Sequence, residues 1–374
     1  KDCLYFGVGN GRFFKSKSAL PDIYANSACV RPADIDNDGD MDLFIGSRSV
    51  PREYGIIPKS YLLINDGAGN FTDETSKYAP AVSNVGMVTD AIWIDLNDDS
   101  YEDLVLVGEW MPIRIFYNSA DGFTEVTDQY GLQNTTGWWN TIAAGDFNND
   151  GHIDLVVGNL GLNSFLKASN TQPVQLYIND FSGNNKLEQI LTYYNGSQVY
   201  PLASRDMMIE NIPFLAEKYP KYADFAGAAI DDIFNEDLLQ SAQVRKAVEF
   251  ASVVLMNNGD ETFTKINLPI EVQFSPVYAI LVDDFDKDGF QDMLTGGNFS
   301  GVPPELGRYD ASYGNVLLGE GTGSFKSASL QSSGFIVTEE IRQMKKIKTP
   351  NNQNQILVVR NNNTTVIFNQ LQNK

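Results

Sequence analysis

Histidine is nearly absent from this sequence: His152 is the only one in 374 residues. A histidine general base, or a metal centre built on imidazoles, is thereby almost excluded. Cysteine is scarce too. Cys3 and Cys29 allow one bridge at most, so no disulfide framework exists, and whether the two pair stays open. Positive charge is in short supply, with 27 Lys and Arg against 48 Asp and Glu and a formal net charge of -21. Duplex nucleic acid and anionic membrane are poor partners for such a chain. No uninterrupted apolar run approaches the roughly 18 residues of a membrane span. CxxC, HExxH and phosphate-loop patterns are also missing.

The residues that are present point to a packed, acidic domain. Hydrophobic residues make up 43%, enough for a sizeable core and against disorder. The length is within reach of one closed β architecture, so a single domain over residues 1–374 is expected. The chain opens at Lys1 rather than Met. It reads as a mature or trimmed exported chain, placed outside the cell, on its surface or in a periplasm. Acidity this strong strains a compact fold unless something neutralises it, and bound cations are one way to do so.

The acids fall in a pattern. Residues 146–159 read DFNNDGHIDLVVGN, with Asp146, Asn148, Asp150, His152 and Asp154 on alternate positions and Gly151 in the turn. The pattern D-x-[DN]-x-D-G-x-x-D, leading into a strand, recurs along the chain. One copy is Asp34, Asp36, Asp38, Asp40 and Asp42. Another is Asp95, Asn97, Asp99, Tyr101 and Asp103, with Ser100 for the glycine. A further copy is Asp284, Asp286, Asp288, Phe290 and Asp292. A degenerate one is Asp180, Ser182, Asn184, Lys186 and Glu188, with Asn185 for the glycine.

This is the logic of a hard cation. Calcium takes six to eight oxygens at about 2.3–2.6 Å. Alternate side chains on a tight loop converge on one point. Positions one, three, five and nine offer side-chain oxygens, and position seven offers its carbonyl, so its identity varies freely. An EF-hand is excluded, because it needs a carboxylate at position twelve and a helix after the loop. Position twelve is Ile45, Leu106, Val157, Leu191 or Thr295, and the run after each loop is apolar, β-branched and bounded by glycine. Four calcium sites are expected, with a fifth at the Asp180 copy. Plain acidic β-turns are the alternative.

A second motif alternates with the first. Residues 61–73, 113–126, 253–266 and 315–328 each read as strand, Gly/Asn turn and strand, and residues 4–14 repeat this at the start. Each unit then holds four strands, a to d, with the acidic loop between a and b. Such units around an axis make a β-propeller. The expectation is an all-β propeller of six blades, with seven also compatible with the count. The sixth a–b hairpin, residues 341–363, has lost the acids. The first and last segments would share one blade. Residues 204–251 carry apolar residues at three- and four-residue spacing and read as a helical insertion, between strands b and c of the blade opened by Asp180.

The segments DIDNDGDMDLFIG, DLNDDSYEDLVLVG, DFNNDGHIDLVVG and DDFDKDGFQDMLTGG resemble the FG-GAP/VCBS repeat family. That family includes the propeller of integrin α subunits and many exported bacterial proteins. The resemblance covers nearly the whole chain except the helical insertion. It implies a calcium-loaded propeller, usually extracellular or on a cell surface, and no single function, since the fold serves adhesion, glycan binding and polysaccharide lyase chemistry. The Ser100 loop, the Asp180 loop and the acid-free last repeat depart from its pattern.

The b–c loops must lie on the face opposite the acidic loops, where propeller function concentrates. They carry Arg48, Arg52, Arg205, Arg308 and Arg360 beside Glu109, Trp110, Tyr309, Asn159 and Asn298. Arginine reads carboxylate bidentately, and aromatics beside amides suit sugar faces. A mouth for an anionic glycan or an acidic protein side chain is one reading. Ion pairs with Glu109, Asp206, Glu305 and Asp310 that only stiffen the loops are the other. No nucleophile triad is visible. The expectation is a non-catalytic calcium-stabilised module that binds glycan or protein at a cell surface. The alternative is a calcium-dependent polysaccharide lyase using groups such as Tyr309 and Lys167. Oligomeric state is open.

Overall fold

The computed structural model describes residues 2–303 and 307–369. Apolar runs that begin straight after an acidic loop become strands, and these organise the chain into small antiparallel sheets. A hairpin comes first, β1 (Tyr5–Gly7) with β2 (Phe13–Lys15). The first sheet is β3 (Asn26–Ala33), β4 (Asp42–Ser49), β5 (Tyr61–Asn65) and β6 (Phe71–Asp73), in that order. The second is β7 (Met87–Ile94), β8 (Asp103–Met111), β9 (Arg114–Tyr117) and β10 (Thr124–Glu125), with β11 (Gly137–Trp138) added to β8. The third opens with β12 (Thr141–Gly145) and β13 (Asp154–Gly158).

The chain then leaves the third sheet to build another. This inserted sheet comprises β14 (Val174–Asn179), β15 (Glu188–Asn195), β16 (Gln198–Pro201) and β17 (Gln243–Ala247), in the order β16-β15-β14-β17. Only afterwards do β18 (Val253–Asn257) and β19 (Phe263–Asn267) complete the third sheet, β18 pairing with β13. The fourth sheet is β20 (Val277–Asp283), β21 (Asp292–Gly297), β22 (Asn315–Gly319) and β23 (Phe325–Ser327). The fifth is β24 (Ile341–Lys348), β25 (Asn354–Arg360) and β26 (Val366–Asn369).

Three expectations change here. The 253–266 hairpin belongs to the Asp146 unit rather than to a blade opened by Asp180, because β18 is buried along its whole length and fits between β13 and β19. Helices of the insertion lie between Arg205 and Ser241, and residues 243–247 form a strand on the free edge of β14 instead of continuing a helix. The β1–β2 hairpin shares no sheet with the fifth among the described residues, which has its own third strand.

The first strands of the five main sheets, β3, β7, β12, β20 and β24, line one channel of about 740 Å3. Successive sheets pack face to face. Phe44 and Leu62 meet Ala91 and Phe116, Val107 and Ile115 meet Leu155 and Val157, Val156 meets Met293, and Leu294 meets Ile356 and Val358. Strands next to the channel strands are covered on both faces, and β8 is accordingly buried throughout, with the apolar run 104–107 at its start. The glycines at their ends permit this approach: a Cβ at Gly46 would sit 2.6 Å from Val88, and one at Gly297 1.6 Å from the Pro276 carbonyl oxygen. Among the described residues no buried cluster joins the fifth sheet to the first.

Candidate metal loops and channel mouth

Every acidic loop uses the same register. The ninth-position acid starts its strand and pairs with the residue just before the loop: Ala33 with Asp42, Ile94 with Asp103, Gly145 with Asp154, Asn179 with Glu188 and Asp283 with Asp292. The first-position carboxylate accepts the amides of the turn. Asp34 takes those of Asp38 and Gly39, and Asp146 those of Asp150 and Gly151. The backbone is left-handed at position six, at Gly39, Ser100, Gly151, Asn185 and Gly289. It is left-handed again at position four, at Asn37, Asp98, Asn149, Gly183 and Lys287. That second requirement was readable as the run Asn, Asp, Asn, Gly, because these residues tolerate this region best.

The ninth-position aspartate also fastens loop to sheet. Asp42, Asp103, Asp154 and Asp292 are fully buried. One carboxylate oxygen accepts the position-two amide, from Ile35, Leu96, Phe147 or Phe285. The other accepts an amide from the end of the third strand, from Asn65, Asn118, Asn257 or Gly319. Glu188 departs from this. Among the described residues it accepts from Phe181 and Ser182 within its own loop, and no third strand reaches it there.

The donor set suits a hard cation best in the first and last copies. Carboxylate oxygens of Asp34, Asp36 and Asp42 lie within 4.8 Å of one another, and so do those of Asp284, Asp286 and Asp292. Asp36 Oδ1 and Asp40 Oδ1 are buried with no hydrogen-bond partner. Burial, then the neighbouring carboxylates, raise the pKa values of Asp36 and Asp40. Burial pushes the carboxyls of Asp103 and Asp154 up to about 6. In the middle copies the third residue is an amide that bonds the fifth, Asn97 to Asp99 and Asn148 to Asp150.

The opposite end of the channel holds the arginine loops, and the structure sorts those residues. Arg48 pairs with Glu109, whose other oxygen accepts the Tyr54 hydroxyl, which itself accepts the Trp110 indole N–H at 2.9 Å. Tyr309 packs into the apolar cluster that includes Trp110 and Leu160, its hydroxyl 3.3 Å from Ser164 Oγ. The amides do a different job from the one expected. Asn159 donates to the carbonyls of Glu249 and Ala251, and Asn298 to that of Ser312, so both tie loops to backbone. Arg205 lies in the insertion, bonded to Asp206 and the Tyr219 carbonyl. Arg360 closes its own turn on Asn363 and Thr364. Lys167 donates to the Leu162 carbonyl. Arg52 and Arg308 are exposed with no ion pair among the described residues, and Glu305 lies outside those residues. Cys3 is exposed, Cys29 is buried, and the two form no disulfide.

Two residues at this mouth carried no signal in the sequence. Arg342 stacks on the Tyr278 ring at 4.2 Å and pairs with Glu340. The inserted sheet walls one side of the mouth: Leu176 and Ile178 pack with Trp110 and Leu160, and Arg245 Nε donates to the Gly55 carbonyl at 2.9 Å.

Comparisons with known proteins agree with the repeat pattern. An FG-GAP-like repeat model matches residues 95–157, and an FG-GAP repeat model matches residues 138–177. No curated protein is detectably similar in sequence. Among solved structures, the V. cholerae biofilm matrix protein Bap1 aligns at 10% identity and a TM-score of 0.34, over 92% of this chain and 68% of that one. The exotype rhamnogalacturonan lyase YesX aligns at 12% identity and a TM-score of 0.36, over 97% of this chain and 62% of that one. BBS1N, in complex with ARL6DN, aligns at 9% identity and a TM-score of 0.31 over 96% and 95%. Likenesses this distant say nothing about function. No helix among the described residues is long and apolar enough to cross a membrane. The repeat matches show FG-GAP repeats in residues 95–177, and the other acidic loops of the chain share their strand register.

Proposed function

We propose that the chain is a calcium-stabilised, propeller-like binding module of an exported protein, non-catalytic, with its ligand at the channel mouth opposite the acidic loops. The five main sheets would be successive blades, and the remaining a–b hairpin of the six counted, the one opened by Asp180, forms the inserted sheet instead. The observation that carries the calcium reading is the buried, unpartnered oxygen of Asp36 among carboxylates converging from Asp34 and Asp42. Asp34, Asp36, Asp38 and Asp42 would hold one ion with the Asp40 carbonyl, and the matching residues of the Asp95, Asp146 and Asp284 loops three more. The Asp180 loop is the weakest candidate. Four or five ions would offset about eight to ten of the negative charges at two per ion.

The ligand reading rests on the mouth, where Arg48, Glu109, Tyr54 and Trp110 are held together by side-chain bonds that strand pairing does not require. The ligand is a glycan or a protein presented outside the cell. A screen of calcium-loaded protein against acidic and neutral polysaccharides, with product release followed in the same wells, tests this. Retention without turnover is the expected result. Turnover would make the chain a lyase-type enzyme, and silence would turn the search to a protein ligand.

A further inference from the structure

Four of the five channel strands carry one extra residue near the mouth. The register skips Ala28 between Ser27 and Cys29, Thr89 between Val88 and Asp90, Tyr278 between Val277 and Ala279, and Arg342 between Ile341 and Gln343. All four line the channel. A bulge re-aims the side chain it adds, and each of the four falls near the start of its channel strand, at the end away from the hairpin to the next strand. Two of them, Tyr278 and Arg342, bring chemistry. The Tyr278 hydroxyl makes no hydrogen bond among the described residues, although its ring is held by Arg342 at 4.2 Å and by Phe299. Arg342 bonds Glu340 through Nη2, and its Nε has no acceptor among the described residues. Arg48 bonds Glu109 through Nη2 alone. The Tyr278 phenol also lies within electrostatic reach of Arg48, Glu109 and Glu340.

The backbone is strained at the same place. Trp110, Asn298 and Arg52 have φ of 59°, 74° and 70°. For a bulky residue such as tryptophan this is costly, and such strain gathers at ligand sites. The channel that Tyr278 and Arg342 line, about 740 Å3, falls in the range of small-molecule sites, and Arg48 and Glu109 stand outside its lining.

We propose that this mouth is a pocket for a hexuronic acid residue of an acidic glycan, its carboxylate held by Arg342 beside the Tyr278 phenol. The proposal rests on the binding-module reading and specifies its ligand class. Spare guanidinium N–H groups suit a carboxylate. Glu109, Glu340 and the phenols offer acceptors and donors for ring hydroxyls, and the rings of Tyr278 and Tyr54 offer apolar faces. An acidic peptide side chain would meet the same guanidinium groups, so what favours a sugar is the ring of Tyr278 and the hydroxyl partners around it.

The test is calorimetric titration of the calcium-loaded chain with trigalacturonate, glucuronate oligomers and neutral galactose oligomers. An acidic oligomer should bind, with the neutral one and the variants Arg342→Gln and Tyr278→Phe about tenfold to a hundredfold weaker. Arg12→Gln, on the distant hairpin, should bind as the parent does. Thermal melts check that each variant folds. Should Arg342→Gln fail to fold, Arg342→Lys and saturation-transfer NMR of galacturonate on the parent chain read the same pocket. Equal binding of acidic and neutral oligomers, or binding untouched by both pocket variants, overturns the pocket and leaves the module reading standing. An acidic peptide that binds where every uronate fails overturns it too, while supporting a module for protein. Failure of all sugars and peptides sinks both.

Discussion

The two ends of the channel are built on opposite principles. At one end the same loop recurs, with the same register, the same left-handed residues and the same buried aspartate bonded the same way. At the other end nothing recurs. One sheet supplies Arg48 and Tyr54, the next Glu109 and Trp110, the fourth Tyr278 and the fifth Arg342. Repetition is what a stability device needs, because each unit must solve the same local problem. A recognition site needs unlike groups converging, and that requires the repeat to be broken. The loop end should therefore govern folding, and the mouth should govern binding.

The largest effect expected is from metal removal. Stripping with chelator should lower the melting temperature by about 10 °C or more if several ions bind only the folded chain. An identical melt with and without calcium, with metal analysis showing none, would refute the calcium reading. Next comes a contrast within the loops. Asp154→Ala removes a buried acceptor of two backbone amides and should cost about 3–5 kcal/mol by urea unfolding, whereas Glu188→Ala, whose bonds stay within its own loop, should cost about 1–2 kcal/mol. Equal costs would break the distinction drawn between ring loops and the inserted loop.

Smaller effects sharpen the picture. Ser100→Gly should stabilise by about 1 kcal/mol, since Ser100 has a φ of 72° where the other strong copies have glycine. A pH series in chelator tests the electrostatics. Asp103 and Asp154 have folded pKa values raised to about 6, so the folded state holds protons that the unfolded chain releases nearer pH 4. The metal-free chain should therefore lose stability as pH rises from about 4 to 6. Calcium should flatten that slope, and a slope unchanged by calcium would count against ions at these loops. Arg48→Gln should leave the chelator response intact while weakening ligand retention; a mouth variant that alters calcium binding would blur the division between the two ends.

Much of the loop end was legible in the sequence. The spacing of Asp146, Asn148, Asp150 and Asp154 is a local pattern, and so is the strand after it. The ownership of strands was not. Nothing in residues 253–266 says that they pair with β13 across almost a hundred intervening residues instead of with β15 nearby. The helical texture of 204–251 hid β17, whose place was set by the open edge of β14. Arg48, Glu109 and Trp110 were visible as loop chemistry, and their convergence was expected. Asn159 and Asn298 looked like ligand groups because a backbone-tying amide and a ligand-binding amide are the same residue in a sequence. Tyr278 and Arg342 were invisible, since each sits in a strand at a bulge that local spacing does not announce.

The amino-acid sequence by itself determined the repeat, the acidic loops, the left-handed turn positions and the strand after each loop. All of these depend on backbone torsions and side chains within a dozen residues. Only the tertiary structure decided which strands share a sheet, where the inserted sheet sits and which side chains meet at the channel mouth. Those depend on contacts between residues far apart in the chain, and on bulges that shift a side chain from one face to the other without changing its neighbours in sequence.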